Sequence, residues 1–429
     1  MTVRHWLALT AILILTAAIY ISAGLPGAYL AADDFQWLGG GQTFTWARLL
    51  YVTGGDRFYR PAADLWFAGT ASVCGFSLPC HHLLLLAVHL ANVALVFVLA
   101  SWLSGSLGTA WLATLLFALN PAYTQAVVWL SAITGVLCAF GYLGSLTAIA
   151  WSWQASDDGR RRRRELVAVA LFGLAAFSHE AAITLPVVAF GMWWIFGPAG
   201  ESVRWRLPIG LGGVVAVFAV ATLMANRRNA LFATSGYRVG LHTIDHALDY
   251  VASLYVGPSS PAAHVFIVAA LAAFLWINRT TRFGALWLIV AMLPYLPFTT
   301  GNTSRYAYLP AIGFSWAVAG AIVVGAERLR RVSRAPAWAP AATYAIACAF
   351  VIARFGPFAY ESVRGHVRSF EDWRIRAATL AAAVEVRDGV LHVADPGDPL
   401  IDSMYVEPIV QWQRRDYTTP VKRSQQTVR

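Results

Sequence analysis

The chain alternates between long apolar runs and short polar connections. Eleven runs stand out, near 7–30, 81–103, 107–120, 132–152, 165–178, 181–197, 207–225, 262–277, 283–298, 309–326 and 338–356. A helix needs roughly 20 apolar residues to cross the hydrocarbon of a bilayer, so the pattern predicts an all-α polytopic membrane protein with about eleven transmembrane helices. An outer-membrane barrel would instead read as short alternating strands. The two runs that meet around 178–181 suggest a tight hairpin. From Arg354 the pattern breaks and charge becomes dense. There the sequence predicts an amphipathic helix over Ser362–Val386. Strand-like pieces follow at Val390–Ala394 and Tyr405–Val410, with turn chemistry at Asp395-Pro396-Gly397-Asp398. The expected organisation is a transmembrane domain over 1–356 and a small α+β tail over 357–429.

Composition narrows this reading. Of 429 residues, 58% are hydrophobic and 13% charged, about half the charged share of a soluble domain. That excludes an ordinary cytosolic enzyme and a disordered chain. The net charge of +10 comes almost wholly from arginine. In a membrane protein such a balance reflects topology, so no nucleic-acid partner is expected. With the N-terminus inside, fourteen arginines fall in the inner loops, including the run Arg160–Arg164, against seven in the outer loops. This bias follows the positive-inside rule and places the tail outside. The first run also admits a signal-peptide reading, with Ala-Tyr-Leu-Ala before Asp33, which would leave the outer face unchanged.

Polar residues with chemistry to offer gather on that outer face. Asp33 and Asp34 follow the first run. Tyr59-Arg60-Pro61 lies in the same loop, with Pro61 placed for a first helical turn and Asp64–Phe76 readable as a juxtamembrane helix. Asn120-Pro121 leads to Trp129, His179-Glu180 marks the hairpin, Arg227-Arg228 follow the seventh run, and Arg305-Tyr306 precede the tenth. Charges at a bilayer border are costly unless paired or used. A carboxylate there can take a proton from an acceptor hydroxyl while arginines hold a phosphate leaving group. Outside the inner membrane such a reaction needs a donor already activated and dissolved in the bilayer. Plainer readings stand beside each residue. The acids could cap a helix, Glu180 could pair with an arginine, and His89 and Asn92 suit a buried interhelical hydrogen bond. Cys74 and Cys80 both fall outside, where a disulfide between them is open.

These segments, in this order, resemble the C-type integral-membrane glycosyltransferases, and within them the protein O-mannosyltransferase-like branch. The resemblance spans roughly 1–330. It rests on Asp33-Asp34, Tyr59-Arg60-Pro61, His89-Leu90-x-Asn92, Asn120-Pro121-x-x-Thr124 leading to Trp129, Ser178-x-Glu180 and Arg305-Tyr306-x-Tyr308-Leu309-Pro310. It implies transfer of a single hexose or pentose from a polyprenyl-phosphate donor, with inversion. The acceptor would be a hydroxyl of a glycan, lipid or protein at the outer face of the cytoplasmic membrane. A first-loop acid would be the base, Asp33 in preference to Asp34. Tyr59, Arg60, His179, Glu180, Arg227, Arg228, Arg305 and Tyr306 are the candidates for donor phosphate and sugar, with Arg60 and Arg305 foremost for phosphate. Where relatives often carry His-Pro-x-His-Thr-Glu, this chain has Asn120-Pro121-Ala122-Tyr123-Thr124-Gln125, which argues against a metal or acid role there. No metal or other cofactor is assigned, although some C-type enzymes use a divalent cation. The sequence leaves the oligomeric state open. The main rival is a transporter or polyprenyl-lipid flippase for cell-envelope glycans, which would place its ionisable groups near the bilayer midplane.

Overall fold

The computed structural model describes residues 2–50, 58–198, 205–226, 236–255, 257–299, 304–333, 336, 338–394, 401 and 403–424. Each of the eleven apolar runs lies for most of its length on helix, although the 7–30 run leaves its helix at Ser22 and the 283–298 run leaves its helix at Met292. Among the described residues, six helices are long and apolar enough to cross a membrane and three more are shorter apolar helices. By length and composition the structure therefore supports six crossings, against the eleven runs. The Asp158–Ala176 helix opens with the arginine run, and the Arg279–Met292 helix has only 14 residues.

Two helical stretches form the centre. Within Leu130–Ser152, 83% of the apolar window is buried, and within Ser304–Arg331, 72%. Arg206–Ala225 has only 11% of its window buried and leaves Val217, Val220 and Leu223 exposed, as expected of a helix facing lipid tails. Small residues let the central helices approach closely. A Cβ on Gly313 would stand 2.4 Å from the Leu288 backbone nitrogen, and one on Gly284 would stand 2.4 Å from that of Ala317.

The first loop is built as a shelf. Gly24 takes a φ of +98°, which a residue without Cβ adopts freely, and turns the chain out of the first helix. The helix Asp33–Gln42 then carries both acids in its first turn, where the N-terminal dipole favours negative charge. Pro61 starts the helix Pro61–Cys74, as the sequence suggested. Cys74 and Cys80 are joined by a disulfide, which ties this helix to the start of Leu78–Ser104. Trp37 stacks on Phe67 at 5.4 Å, locking the two shelf helices together. A Cβ on Gly41 would meet the Phe67 carbonyl oxygen at 2.5 Å, so the glycine is what permits this approach.

The tail departs from expectation in three places. One helix runs unbroken from Ala339 to Ala382. The chain then forms β1 (Val384–Arg387) and β2 (Val390–Ala394), antiparallel across Asp388-Gly389, both at positive φ. Asp-Gly is a strong two-residue hairpin signal, so the amphipathic helix expected through Val386 ends before it. β3 (Val421–Ser424) adds parallel to β2. The expected strand at Tyr405–Val410 is instead the helix Val406–Arg414, whose buried Val406, Ile409 and Val410 follow helical spacing. The turn expected at Asp395–Asp398 lies outside the described residues.

Ridges of the molecule run end to end between charge and chemistry. The Asp158–Ala176 helix starts in the arginine run and finishes beside His179, about 28 Å away along its axis. The Tyr308–Ser333 helix starts beside Arg305 and ends in Arg330 and Arg331. The arginine-rich ends are therefore opposite the shelf.

Close approach at Gly313 gives a signed prediction. Gly313→Ala lowers thermal stability of the purified chain by about 1–3 kcal/mol, because backbone on both sides cannot yield. Gly325→Ala, on the same helix with open space around it, is neutral or stabilises by up to about 1 kcal/mol. Equal effects at the two sites would contradict the packing described.

Candidate active site

Asp34 is fully buried. Its Oδ1 accepts from the Ser131 backbone N–H at 2.7 Å and from the Ser131 hydroxyl, and its Oδ2 accepts from the Ala31 N–H at 3.0 Å. Burial pushes this carboxyl up to about 7, against the pull of those bonds. The Trp129 indole N–H donates to the Ala31 carbonyl at 3.0 Å. The start of the shelf is thus stitched to the Trp129–Ala132 segment. Between these ties Ala32 is held at φ +45°, a strained conformation for a residue with a Cβ.

Asp33 points elsewhere. It lines a cavity of about 320 Å³ shared with Arg60, Trp129, His179, Arg305 and Tyr306. Side chains at consecutive helical positions do not share a face, so one acid enters the protein and the other the cavity. Asp33 Oδ1 also accepts from the Tyr405 hydroxyl at 2.6 Å.

Arg60 reaches 120 residues along the chain to Glu180, donating Nε–H to Oε1 at 3.1 Å and Nη2–H to Oε2 at 2.7 Å. Burial works against the Arg60 charge, and the Glu180 carboxylate more than offsets it, so its pKa rises. His179 Nδ1 accepts from the Ala181 N–H at 3.1 Å. Burial, and then the Arg60 charge, hold its pKa down to about 3. The imidazole is therefore neutral at ordinary pH.

Arg305 stands differently. Its guanidinium lies 4.5 Å from the Trp129 ring centre and 4.8 Å from that of Tyr306. Among the described residues no carboxylate comes within ion-pair reach of it. Tyr306 is itself sandwiched between Tyr295 at 4.6 Å and Phe298 at 5.5 Å, all nearly parallel. The stack stiffens the wall that carries Arg305. Among the described residues, with Arg60 paired to Glu180, Arg305 and Asp33 are the charged groups of opposite sign left lining the cavity.

The structure thus brings together Asp33, Arg60, His179, Arg305 and Tyr306 from the sequence candidates. Tyr59 is turned away, its hydroxyl donating to the Leu49 carbonyl at 2.7 Å, and Glu180 acts on the cavity through Arg60. Arg227 and Arg228 lie outside the described residues. His81 and His82 sit against the Gly75 and Ala28 carbonyls, at 3.0 and 3.1 Å, instead of lining the cavity. His89 and Asn92 meet the Tyr308 hydroxyl at 2.7 and 3.0 Å, the interhelical bond expected of them. Among the described residues no three metal-ligating side chains converge. Sequence reading missed Ser131, Tyr295, Phe298 and Tyr405. Ser131 and Tyr405 are made relevant only by long-range contacts, and Tyr295 and Phe298 by stacking on Tyr306.

No protein-family profile matches the chain, and no curated protein matches its sequence. Solved structures do resemble its fold. ArnT from Cupriavidus metallidurans bound to undecaprenyl phosphate is similar at a TM-score of 0.54 and 14% identity, over 99% of this chain and 87% of that one. The oligosaccharyltransferase AglB from Archaeoglobus fulgidus, in complex with an inhibitory peptide and a dolichol-phosphate, is similar at 0.56 and 12%, over 96% of this chain and 60% of that one. Its apo form gives 0.53 and 11%, over 85% and 56%. The chain thus spans little more than half of the archaeal protein. At these identities the likeness is one of fold alone, and it does not single out the O-mannosyltransferase branch.

The buried carboxyl of Asp34 makes stability depend on pH. Its folded pKa of about 7 lies above the ordinary 3.8, so the folded state holds the proton more tightly than the unfolded chain. The group favours folding below about pH 4, and this contribution is lost as pH rises through about 7, on the order of a few kcal/mol. Melting curves from pH 4 to 8 test this. The wild type loses stability across that window by more than Asp34→Asn does, and parallel curves would contradict the assignment.

Proposed function

We propose that the chain is a glycosyltransferase using a polyprenyl-phosphate-linked donor. It would move one hexose or pentose, with inversion, onto a hydroxyl of a glycan, lipid or protein. The carrying observation is the cavity that Asp33 shares with Arg305, which has no carboxylate partner among the described residues, at the end of the helices remote from their arginine-rich ends. The fold shared with ArnT and AglB supports the same reading. The positive-inside bias of the sequence supports a cavity on the outer face of the cytoplasmic membrane.

In this mechanism the acceptor oxygen attacks the anomeric carbon as its proton passes to the Asp33 carboxylate. The bond from that carbon to the phosphate oxygen breaks with its electron pair, and polyprenyl phosphate leaves. Attack from the face opposite the phosphate inverts the centre. Arg305 carries the charge that develops on the departing phosphate, in a site where low dielectric strengthens the attraction. Arg60, fixed by Glu180, forms a rigid wall and has N–H groups to spare for sugar or phosphate oxygens. Asp34 keeps the shelf in register and leaves the proton transfer to Asp33.

Two measurements test the assignment. Undecaprenyl phosphate binding, followed by native mass spectrometry, weakens about 10–100-fold in Arg305→Gln, the worth of charge-assisted bonds to phosphate. It changes less than about threefold in Asp33→Asn. Transfer from a panel of polyprenyl-phosphate-linked hexoses and pentoses falls about 10²–10⁴-fold in Asp33→Asn. Unchanged lipid binding in Arg305→Gln would overturn the phosphate site. Lipid flipping in vesicles that survives Asp33→Asn, with no transfer by the wild type, would favour a transporter.

A further inference from the structure

Asp33 has two sides. One faces the cavity, and the other meets the C-terminal module through the Tyr405 hydroxyl, 372 residues away in sequence. That meeting is supported on all sides by fitted contacts. Gln36 donates its amide to the Met404 carbonyl at 3.2 Å, and Gln413 donates to the Tyr29 hydroxyl. The Trp373 ring stands edge-on to Tyr405 at 6.3 Å and also packs near Phe35 at 6.4 Å. Further out, Phe76 of the shelf packs on Trp412 at 5.0 Å and lies parallel to Tyr417 at 6.2 Å. A Cβ on Gly39 would stand 2.9 Å from the Tyr417 ring, so the shelf is relieved of a side chain where the module sits.

The chemistry at the contact is specific. Tyr405 presents a hydroxyl that donates to the carboxylate proposed as base. An acceptor hydroxyl must make that same O–H···O⁻ bond before it can lose its proton. We propose that Tyr405 holds the acceptor's seat: the acceptor reaches Asp33 from the side of the C-terminal module and displaces the phenol on arrival. This rests on the glycosyltransferase reading and adds to it the acceptor's position and a positioning residue. It also gives the resting site a protection. A glycosyl phosphate beside a free carboxylate is open to attack by water, and a hydroxyl already in the seat excludes that water until the acceptor comes.

The full-length purified chain can be tested without a known acceptor. Asp33 is modified with a water-soluble carbodiimide and an amine, and its labelling rate is read by peptide mass spectrometry. Exposed Asp158, on the arginine-rich face, serves as the internal reference. Without lipid, Asp33 labels roughly tenfold faster in Tyr405→Phe than in the wild type, the worth of one hydrogen bond to a charged group, while Asp158 is unchanged. With undecaprenyl phosphate filling the cavity, wild-type Asp33 becomes protected while Asp33 in Tyr405→Ala stays reactive. Equal labelling in wild type, Tyr405→Phe and Tyr405→Ala would overturn the proposal, as would protection by lipid as complete in Tyr405→Ala as in the wild type. Lipid that leaves wild-type labelling untouched would count against the donor reading alone, because the comparison without lipid still reports on Tyr405.

Discussion

A carboxylate removed from water sets the position of everything around the cavity. The Asp34 side chain has no exposure, and both its oxygens are taken by donors from Ala31 and Ser131. A buried carboxyl without such partners would cost on the order of several kcal/mol. Its partners are therefore fixed in space, and they belong to two segments nearly 100 residues apart. One of these segments carries Trp129, on which Arg305 stacks. The other carries Asp33 on the adjoining helical position. The distance between the proposed base and the proposed phosphate ligand is thereby set through a chain of short contacts, Asp33–Asp34–Ser131–Trp129–Arg305.

The rest of the cavity follows from how charge is distributed around that chain. Arg60 and Glu180 cancel, His179 is neutral, and Arg305 keeps its charge against aromatic faces. A guanidinium held by π-systems has its N–H fork still available, unlike one closed on a carboxylate. The candidates that looked equivalent as arginines are thus separated by their partners. Among the described residues, an anion entering the cavity meets Arg305 without a carboxylate partner and Arg60 with one. The same logic separates the acids. Asp34 is spent on backbone and serine, whereas Asp33 keeps contact with the cavity and with a hydroxyl from the tail.

Much of this was legible in the sequence, and the failures have physical causes. The apolar runs became helix for most of their length, because a bilayer-length run of Leu, Val and Ala has few other options. The cost of charge at a bilayer border led to Asp33, Arg60, His179 and Arg305, which do meet. It preferred Asp33 to Asp34 without a geometric reason, because adjacent letters conceal a turn of about 100° between their side chains. It could not show that Glu180 would silence Arg60, since that pairing spans 120 residues. In the tail, extending a helical period hid the Asp388-Gly389 hairpin. The stretch Tyr405–Val410, rich in β-branched residues, read as strand, although its buried positions follow the helix. Tyr405 had no local signal at all.

On the proposed function, a lipid-linked phosphate is held by Arg305 in the cavity that Asp33 also lines. An experimental structure of the chain with undecaprenyl phosphate bound tests this most directly. The account predicts phosphate oxygens within hydrogen-bonding distance of the Arg305 guanidinium, with the Asp33 carboxylate facing the same space. Phosphate seated instead at the Arg160–Arg164 end, with the cavity empty, would contradict it.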